Sequence, residues 1–492
     1  METAAARRGS VTFGLIGFLF LVEIVSGILQ GYYVPLISDL VKYLGIKDAD
    51  YNWFEAAQLL VSALVVPVLA KLGDMFGHKR ILLGSTVVTA LATWALAFSG
   101  NFTSYLISFA LQGFYVVWLP LEIALIFDRG RRTGRGPSQT RRAAGFLVVA
   151  LEAGAIIGAL LGGRVFGWFG HNVQLTLMIP AIAVTLVFFA ILFGVPESTP
   201  LSGRKLDVVG FTLLTIGLLL ITSGLTFLRL NGPEAWWCYL FIVAGVLAFI
   251  PFARYELKQD DPAIDLRVLR QPNMWPVQLT AALIGISLLG AQAPLSAYAG
   301  TDPKNGYGLG LDSGDRSTLI GVYLISMIIG AVLFPLVSRK LSPRIALIVA
   351  AFFVAIGYLL FVPLHLQVWE VFMNMFIAGI GSGALVGAMP AAAAAAAPRG
   401  QTGIAAALTN TTKTIGGSFA SAVFGIALAM GVVGVAGSVA ASTASSLSGY
   451  FTVWIICGVG ALAAAVLLFF VPKLAFADAA EPDVAAAESL VE

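Results

Sequence analysis

Three acidic residues and one lysine lie inside long apolar stretches of this sequence: Glu23, Glu122, Glu152 and Lys413. A charge at the centre of a bilayer costs about 2.5 to 3.5 kcal/mol on insertion scales, so such residues are rarely accidental. Burial favours the neutral form of a carboxyl group, whereas a neighbouring cation favours its ionised form. One such group can hold a proton or a cation, but not easily both. We therefore predict that the three glutamates couple proton movement to the movement of another solute.

Polar and aromatic residues accompany these glutamates at helical spacing. Glu23, Ser26, Gly27 and Gln30 recur at i, i+3, i+4 and i+7, which places them on one stripe of a helix. Tyr115 lies seven residues before Glu122 and is expected on the same helix face. The predicted substrate-binding residues are Ser26, Gln30, Tyr33, Tyr115, Trp118, Asn410 and Lys413. The alternative for each is ordinary helix packing, and for Lys413 a structural counter-charge.

The composition identifies the solvent around these residues. Of the 492 residues, 59% are hydrophobic and 11% are charged, and the mean hydropathy is +0.91. A soluble domain carries roughly 25% charged residues, so the chain is expected to lie in a bilayer. No stretch between the apolar segments is long enough for an ordinary soluble domain of about 100 residues. Any chemistry must therefore take place within or between the membrane spans.

Fourteen apolar windows, each long enough to cross a bilayer, predict an all-α membrane protein. They run without the polar alternation that a β-barrel requires. The windows are 12–38, 53–71, 80–98, 103–127, 143–163, 174–195, 207–228, 236–253, 274–298, 317–337, 344–363, 368–395, 403–432 and 449–471.

The positive charges predict the orientation. Most Lys and Arg residues fall on the side of the N-terminus, and cytoplasmic loops retain positive charge, so both termini are expected inside. The exceptions on the opposite side are Lys42, Lys47, Arg164, Arg229, Lys304 and Arg316.

Two further motifs suggest moving helices. The short loop after span 2 contains Asp74, Gly77, Lys79 and Arg80, a carboxylate and basic groups around a tight turn. Charge-assisted bonds there can form and break as helices tilt, so we predict a conformational latch, with an orientation-setting basic loop as the alternative. In span 5, Gly154, Gly158, Gly162 and Gly163 form a smooth face on which another helix can pack closely.

These motifs resemble the major facilitator superfamily, in its branch of fourteen-span drug:proton antiporters. The loop after span 2 resembles the superfamily's signature between spans 2 and 3, and the glycines resemble the antiporter signature of span 5, with Ala159 in place of its proline. Leu111-Gln-Gly113 resembles the span-4 signature, although Phe109 stands where the family has arginine. Further matches are Trp53, Pro180, Asp207 with Gly210, Asp261 with Pro262, Ile264 to Arg267, and Asn410 to Gly417.

The resemblance implies two six-helix bundles that rock around a central site, with two helices inserted between them. The expected divisions are 1–200 for spans 1 to 6, 201–272 for spans 7 and 8 with an inside loop, 273–472 for spans 9 to 14, and 473–492 for a disordered cytoplasmic tail.

The expected function is proton-coupled export of amphipathic or apolar small molecules from the cell, by a multi-pass protein of a bacterial cell membrane. A dedicated exporter of one endogenous metabolite or lipid-like product is the first alternative, and a non-transporting sensor or scaffold the second. We expect no enzyme activity, no metal and no cofactor other than the coupling protons. The expected partners are the substrate, protons and membrane lipids, without nucleic acid, and the protein is expected to be a monomer.

Overall fold

The computed structural model describes residues 13–132, 136–200, 206–259, 262–272, 274–396, 402–430 and 444–470. Within these ranges the chain forms α-helices and three short 3₁₀ helices, with no β-strand. The predicted tail, 473–492, lies outside the described residues. The α-helices are α1 Phe13–Gly31, α2 Ile37–Leu44, α3 Asp48–Phe76, α4 His78–Ala97, α5 Phe102–Gln112, α6 Trp118–Arg132, α7 Gly136–Trp168, α8 Val173–Gly194, α9 Val208–Asn231, α10 Trp236–Glu256, α11 Leu266–Leu269, α12 Trp275–Leu289, α13 Gln292–Gly300, α14 Ser313–Leu341, α15 Pro343–Leu359, α16 Val368–Ala396, α17 Thr402–Met430 and α18 Leu447–Phe470.

The helices confirm the all-α membrane class. Within the described ranges, thirteen segments are long and apolar enough to cross a membrane, and the shorter apolar helix α15 occupies the eleventh predicted window. Each predicted window therefore contains a helix or a broken pair of helices. Following the predicted orientation, we call the side of the membrane that carries the N-terminus the inner side.

Three spans that sequence analysis treats as continuous helices are interrupted, and proline explains each break. A proline removes a backbone donor and crowds the carbonyl four residues earlier. Pro35, Pro120 and Pro294 lie four residues after Gly31, Val116 and Gly290, and each of these three residues lies where a helix ends or winds as a 3₁₀ helix. The 3₁₀ helices at Val34–Leu36 and Gly113–Val117 join α1 to α2 and α5 to α6.

The structure places the span-5 glycines against the backbones of two other helices. A Cβ atom on Gly154 would stand 2.0 Å from the carbonyl oxygen of Ile24, and one on Gly158 would stand 2.7 Å from that of Ile28, both on α1. Gly162 meets the backbone of Tyr32 at the end of the same span. Gly163 instead faces the carbonyl of Ser313 at the start of α14. These glycines therefore allow α7 to contact two different helices at backbone distance.

The helices pack as two groups joined by an inserted pair. We call α1–α8 the N-terminal half, α12–α18 the C-terminal half, and α9 with α10 the hairpin. In the N-terminal half α7 packs on α1, and α4 packs on α8; in the C-terminal half α17 packs on α12, and α16 on α14. The halves meet along two seams, one between α3 and α17 and the other between α7 and α14. The hairpin packs against the first seam through α9.

A methyl group added to Gly154 tests the close approach of α7 to α1. Gly154→Ala cannot be accommodated without moving backbone, and overpacking of this kind costs typically about 1 to 3 kcal/mol. Gly167→Ala on the same helix is the matched control, since a Cβ there meets no atom within 4 Å. We expect thermal unfolding in detergent to show a lower melting temperature for Gly154→Ala only. Equal melting temperatures would contradict the packing described.

Candidate functional site

Two of the predicted proton-coupling residues form a sealed pair inside the N-terminal half. Glu23 lies on α1 and Glu122 on α6, and both side chains are fully buried. Their carboxyl groups face each other, with the hydroxyl of Ser26 beside Glu23. None of the four carboxyl oxygens has a hydrogen-bond partner that satisfies normal geometry. Within the described residues no basic side chain forms an ion pair with either glutamate.

The break in span 4 changes the expected geometry of this pair. A 3₁₀ helix has 3.0 residues per turn, so the helical face predicted for Tyr115 and Glu122 is not continuous across Gly113–Val117. Tyr115 lies close enough to Glu23 for an electrostatic interaction, and its ring packs edge-on against Trp118. Tyr115 therefore lies near the carboxyl pair on the side of Glu23, which belongs to α1.

The third predicted glutamate has a different environment, between the two halves. Glu152 of α7 and Lys413 of α17 come within electrostatic range of each other from opposite halves. Both side chains are partly exposed, as is Asn410 one turn from Lys413. Glu152 points away from the glycine face that packs on α1. These residues mark the space between the halves where a solute could bind.

Several predicted substrate-binding residues are buried in helix contacts in this conformation. Ser26, Tyr33, Tyr115 and Trp118 present almost no surface, whereas Gln30 is exposed. The hydroxyl of Tyr33 accepts a hydrogen bond from the Gln112 amide at 2.8 Å. Their role in binding stays a prediction.

Contacts between the halves are concentrated on the outer side and form a gate. The Arg316 guanidinium of α14 is paired with the Asp39 carboxylate of α2 at 2.5 Å, and its Nε donates to the Asp312 carbonyl. The Ser296 hydroxyl of α13 donates to the Val34 carbonyl at 2.5 Å. That carbonyl belongs to the 3₁₀ helix that follows the break in span 1. The unwound turn therefore supplies one of the bonds that close the gate.

Further hydrogen bonds between the halves lie along the two seams. The Gly163 amide donates to the Ser317 hydroxyl at 3.0 Å, and the Ser418 hydroxyl donates to the Ala56 carbonyl at 2.8 Å. The polar contacts that the structure describes between the two halves therefore lie at the outer gate and along the two seams.

The predicted latch is held within the N-terminal half. Asp74 pairs with His78 at 3.3 Å, and the backbone amide of Lys79 donates to the Glu197 carboxylate at 2.9 Å. Arg80 lies 3.7 Å from the same carboxylate. Gly77 has a φ of 100°, and a Cβ there would stand 2.6 Å from the Glu197 carboxylate, so this turn requires glycine.

Sequence reasoning missed several of these partners. Glu197 and Ser198 follow Pro196 at the inner end of span 6. The signal that could have identified Glu197 is its position on the same side of the membrane as the basic loop that contains Lys79 and Arg80. Arg316 was counted only as an outer-side charge. Glu55, on α3, faces Ser421 of α17 across the first seam, with one carboxyl oxygen buried and without a hydrogen-bond partner.

Two halves of membrane-crossing helices with ionisable groups between them are the arrangement of a multi-pass membrane transporter. The chain belongs to the Major Facilitator Superfamily, whose model matches residues 19–421. This is a superfamily of transporters and not of enzymes.

Relatives and solved structures agree with this assignment. The chain is 25% identical over 437 residues to the probable actinorhodin transporter of Streptomyces coelicolor, covering 85% of this chain and 72% of the relative. It is 22% identical over 432 residues to the multidrug transporter protein MdtP of Bacillus subtilis, covering 86% and 76%. The crystal structure of the nucleoside transporter NupG shares the fold, with a TM-score of 0.62 at 13% identity over 92% of this chain and 98% of that one.

Removing the charge of Asp39 tests the outer gate. Without that charge, Arg316 would lose its ion-pair partner in the closed gate and keep only the electrostatic interactions with Asp312 and Asp48. Breaking a buried pair costs at most about 3 to 5 kcal/mol. Asp39→Asn should therefore favour the outward-open state. The readout uses a single cysteine, Ser38→Cys, in a protein whose native cysteines are replaced. Ser38 packs against Gly300 across the gate, so the rate at which an impermeant maleimide labels this cysteine reports gate opening.

The control for this test is Asp302→Asn, which removes an exposed carboxylate lining the same outer cavity of about 420 Å³. We expect Asp39→Asn to accelerate labelling and Asp302→Asn to leave it unchanged. Equal labelling rates in both variants and in the parent protein would show that Asp39 does not hold the gate.

Proposed function

We propose that this transporter is a proton-coupled antiporter, which exports amphipathic or apolar small molecules by alternating access. The observation that supports the proposal most strongly is the sealed pair of Glu23 and Glu122. Two facing carboxyl groups in a dry interior cannot both be ionised, because each charge would be buried beside a like charge without a cation. The pair therefore holds at least one proton while it is sealed.

The arrangement suggests how such a proton could be coupled to a solute. Glu152 and Lys413 lie on opposite halves, so a solute that binds between them changes the interaction that links the halves. Tilting the N-terminal half to open the outer gate would move α1 and α6 with it, and could hydrate the carboxyl pair. Each proton that crosses a potential of 100 mV supplies about 2.3 kcal/mol, which can drive extrusion.

The residues around the space between the halves, together with the names of the related transporters, support the proposed substrate class. Apolar helices surround a few polar groups around Asn410 and Lys413, which suits a molecule with a large apolar part and one polar or charged group. The names of MdtP and of the actinorhodin transporter describe export of drugs and of a natural product, respectively, by those proteins.

Replacing each glutamate by glutamine tests the coupling. In proteoliposomes with an imposed proton gradient, Glu23→Gln and Glu122→Gln should each lose gradient-driven accumulation of a dye, while keeping dye exchange without a gradient. A cycle that carries one proton fewer loses a driving force worth about fifty-fold in accumulation at 100 mV. Glu152→Gln should weaken both accumulation and exchange, because Glu152 lies where the solute is proposed to bind.

The matched control for this series is Glu234→Gln, at an exposed position in the loop between α9 and α10. It should match the parent protein in both assays. Full gradient-driven accumulation in all three intramembrane variants would reject these residues as the coupling groups.

A dedicated exporter of one endogenous metabolite is the second candidate. Phe109 and Ala159 depart from the signatures of the drug:proton antiporters, and the match to a probable actinorhodin transporter fits a single natural product. A panel of chemically unrelated dyes separates the two candidates. Efflux of several dyes supports broad specificity, whereas failure to move any of them, with proton coupling intact for one metabolite, supports the dedicated exporter.

A further inference from the structure

Within the described residues, the polar contacts of the hairpin of α9 and α10 are made with the N-terminal half. At its outer end Arg229 pairs with Asp50, on α3. The same guanidinium lies 5.3 Å from the centre of the Trp53 ring and 5.6 Å from that of Phe102, at the start of α5. A guanidinium held between a carboxylate and two aromatic rings makes both an ion pair and cation–π contacts, and all three partners belong to the N-terminal half.

The described chain on either side of the hairpin is bonded to the same half. Before α9, the amides of His78 and Lys79 donate to Ser198 and Glu197, and the Thr199 amide donates to Asp128 on α6. After α10, the Lys71 ammonium of α3 donates to the Pro262 carbonyl. The connecting segment is in turn bonded to the hairpin, because the Ile264 amide donates to the Glu256 carboxylate.

Contact with the C-terminal half has a different character. Leu225 of α9 packs with Ala422 and Ile426 of α17, and Leu214, Leu218 and Phe252 pack near Ile415 and Phe419. Between 208–256 and the described part of the C-terminal half, we find neither a hydrogen bond nor an ion pair. An apolar contact is non-directional, so it can shift along its length without leaving a polar group unpaired.

We propose that the hairpin moves as a fixed part of the N-terminal half, and slides against α17 as an apolar seal over the seam between α3 and α17. The seal keeps that side of the central space closed to lipid while the halves rock. When the halves move relative to each other, the chain bends after the connecting segment 262–272, before α12 begins. Among the described helices, none covers the seam between α7 and α14 in the same way.

Cross-linking across the two faces of the hairpin tests the proposal. In a background with Cys238→Ala and Cys457→Ala, the pair Leu60→Cys with Leu218→Cys joins the hairpin to α3. The pair Leu225→Cys with Ala422→Cys joins it to α17. The control pair Ala56→Cys with Ser418→Cys joins the two halves directly, at a hydrogen-bonded contact.

Each pair is treated with a short thiol cross-linker that a reductant cleaves. Flux is measured for a dye that the cysteine-free protein carries, with no proton gradient, so the result does not depend on coupling. We expect the link to α3 to leave flux unchanged, and the link to α17 to stop it as fully as the control pair does. Reduction should restore both. The reverse pattern, block by both links or block by neither would overturn the proposal.

Spin-label distances provide a readout that needs no transport. Labels at Glu234→Cys and Thr103→Cys report the hairpin against the N-terminal half, and labels at Glu234→Cys and Lys304→Cys report it against the C-terminal half. When Asp39→Asn opens the outer gate, as the labelling of Ser38→Cys reports independently, the first distance should stay fixed and the second should lengthen. A change in the first distance, or a fixed second distance with an open gate, would contradict the proposal.

Discussion

Two carboxyl groups that face each other away from water impose the central constraint on this protein. Glu23 and Glu122 are fully buried, and none of their oxygens has a hydrogen-bond partner of normal geometry. An unpaired buried charge costs several kcal/mol, so under the proposed function we expect the pair to hold a proton in the closed packing of α1, α6 and α7. On that proposal, loss of the proton and loss of the dry packing are linked. This linkage is what a proton-driven conformational cycle requires.

One helix, α7, connects the packing of the N-terminal half with the contacts between the halves. Glycines on α7 let it approach the backbone of α1 on one side, and Gly163 brings its outer end against α14 on the other. The same helix carries Glu152 toward Lys413. In this structure α7 therefore packs on α1, which carries Glu23, meets α14 at the outer gate, and brings Glu152 to the space between the halves. The outer gate combines an ion pair with bonds to exposed carbonyls at the proline break of span 1, and such bonds can re-form in each cycle.

Sequence analysis predicts the spans, the intramembrane acids and the tight α7 contact, because these depend on local composition and on periodicity within one helix. It does not predict that Glu23 and Glu122 meet, since periodicity says nothing about which helices are neighbours. The breaks at Pro35, Pro120 and Pro294 were not predicted either, because proline is also tolerated inside helices of this chain, as at Pro67. Neighbouring helices decide which prolines end a helix.

The roles of Arg229 and Arg316 show a second limit. Sequence analysis predicts only that both are charges on the outer side, and nothing in their local sequence distinguishes them from the exposed Lys304. Their partners, Asp50 and Asp39, are far away in the chain. The tertiary structure brings each pair together and gives each arginine a separate task, attachment of the hairpin for one and closure of the gate for the other.

The central claim is tested most directly by infrared difference spectroscopy of the purified protein in lipid. Isotope exchange in heavy water identifies the carbonyl stretch of protonated carboxyl groups, and spectra of the parent protein, Glu23→Gln, Glu122→Gln and the control Glu234→Gln can be compared near neutral pH. We expect a protonated-carboxyl band that exchanges slowly with heavy water, is altered or lost in both intramembrane variants, and is unchanged in the control. A spectrum without such a band, identical in all four proteins, would mean that the pair is ionised in its closed packing, and would contradict the account.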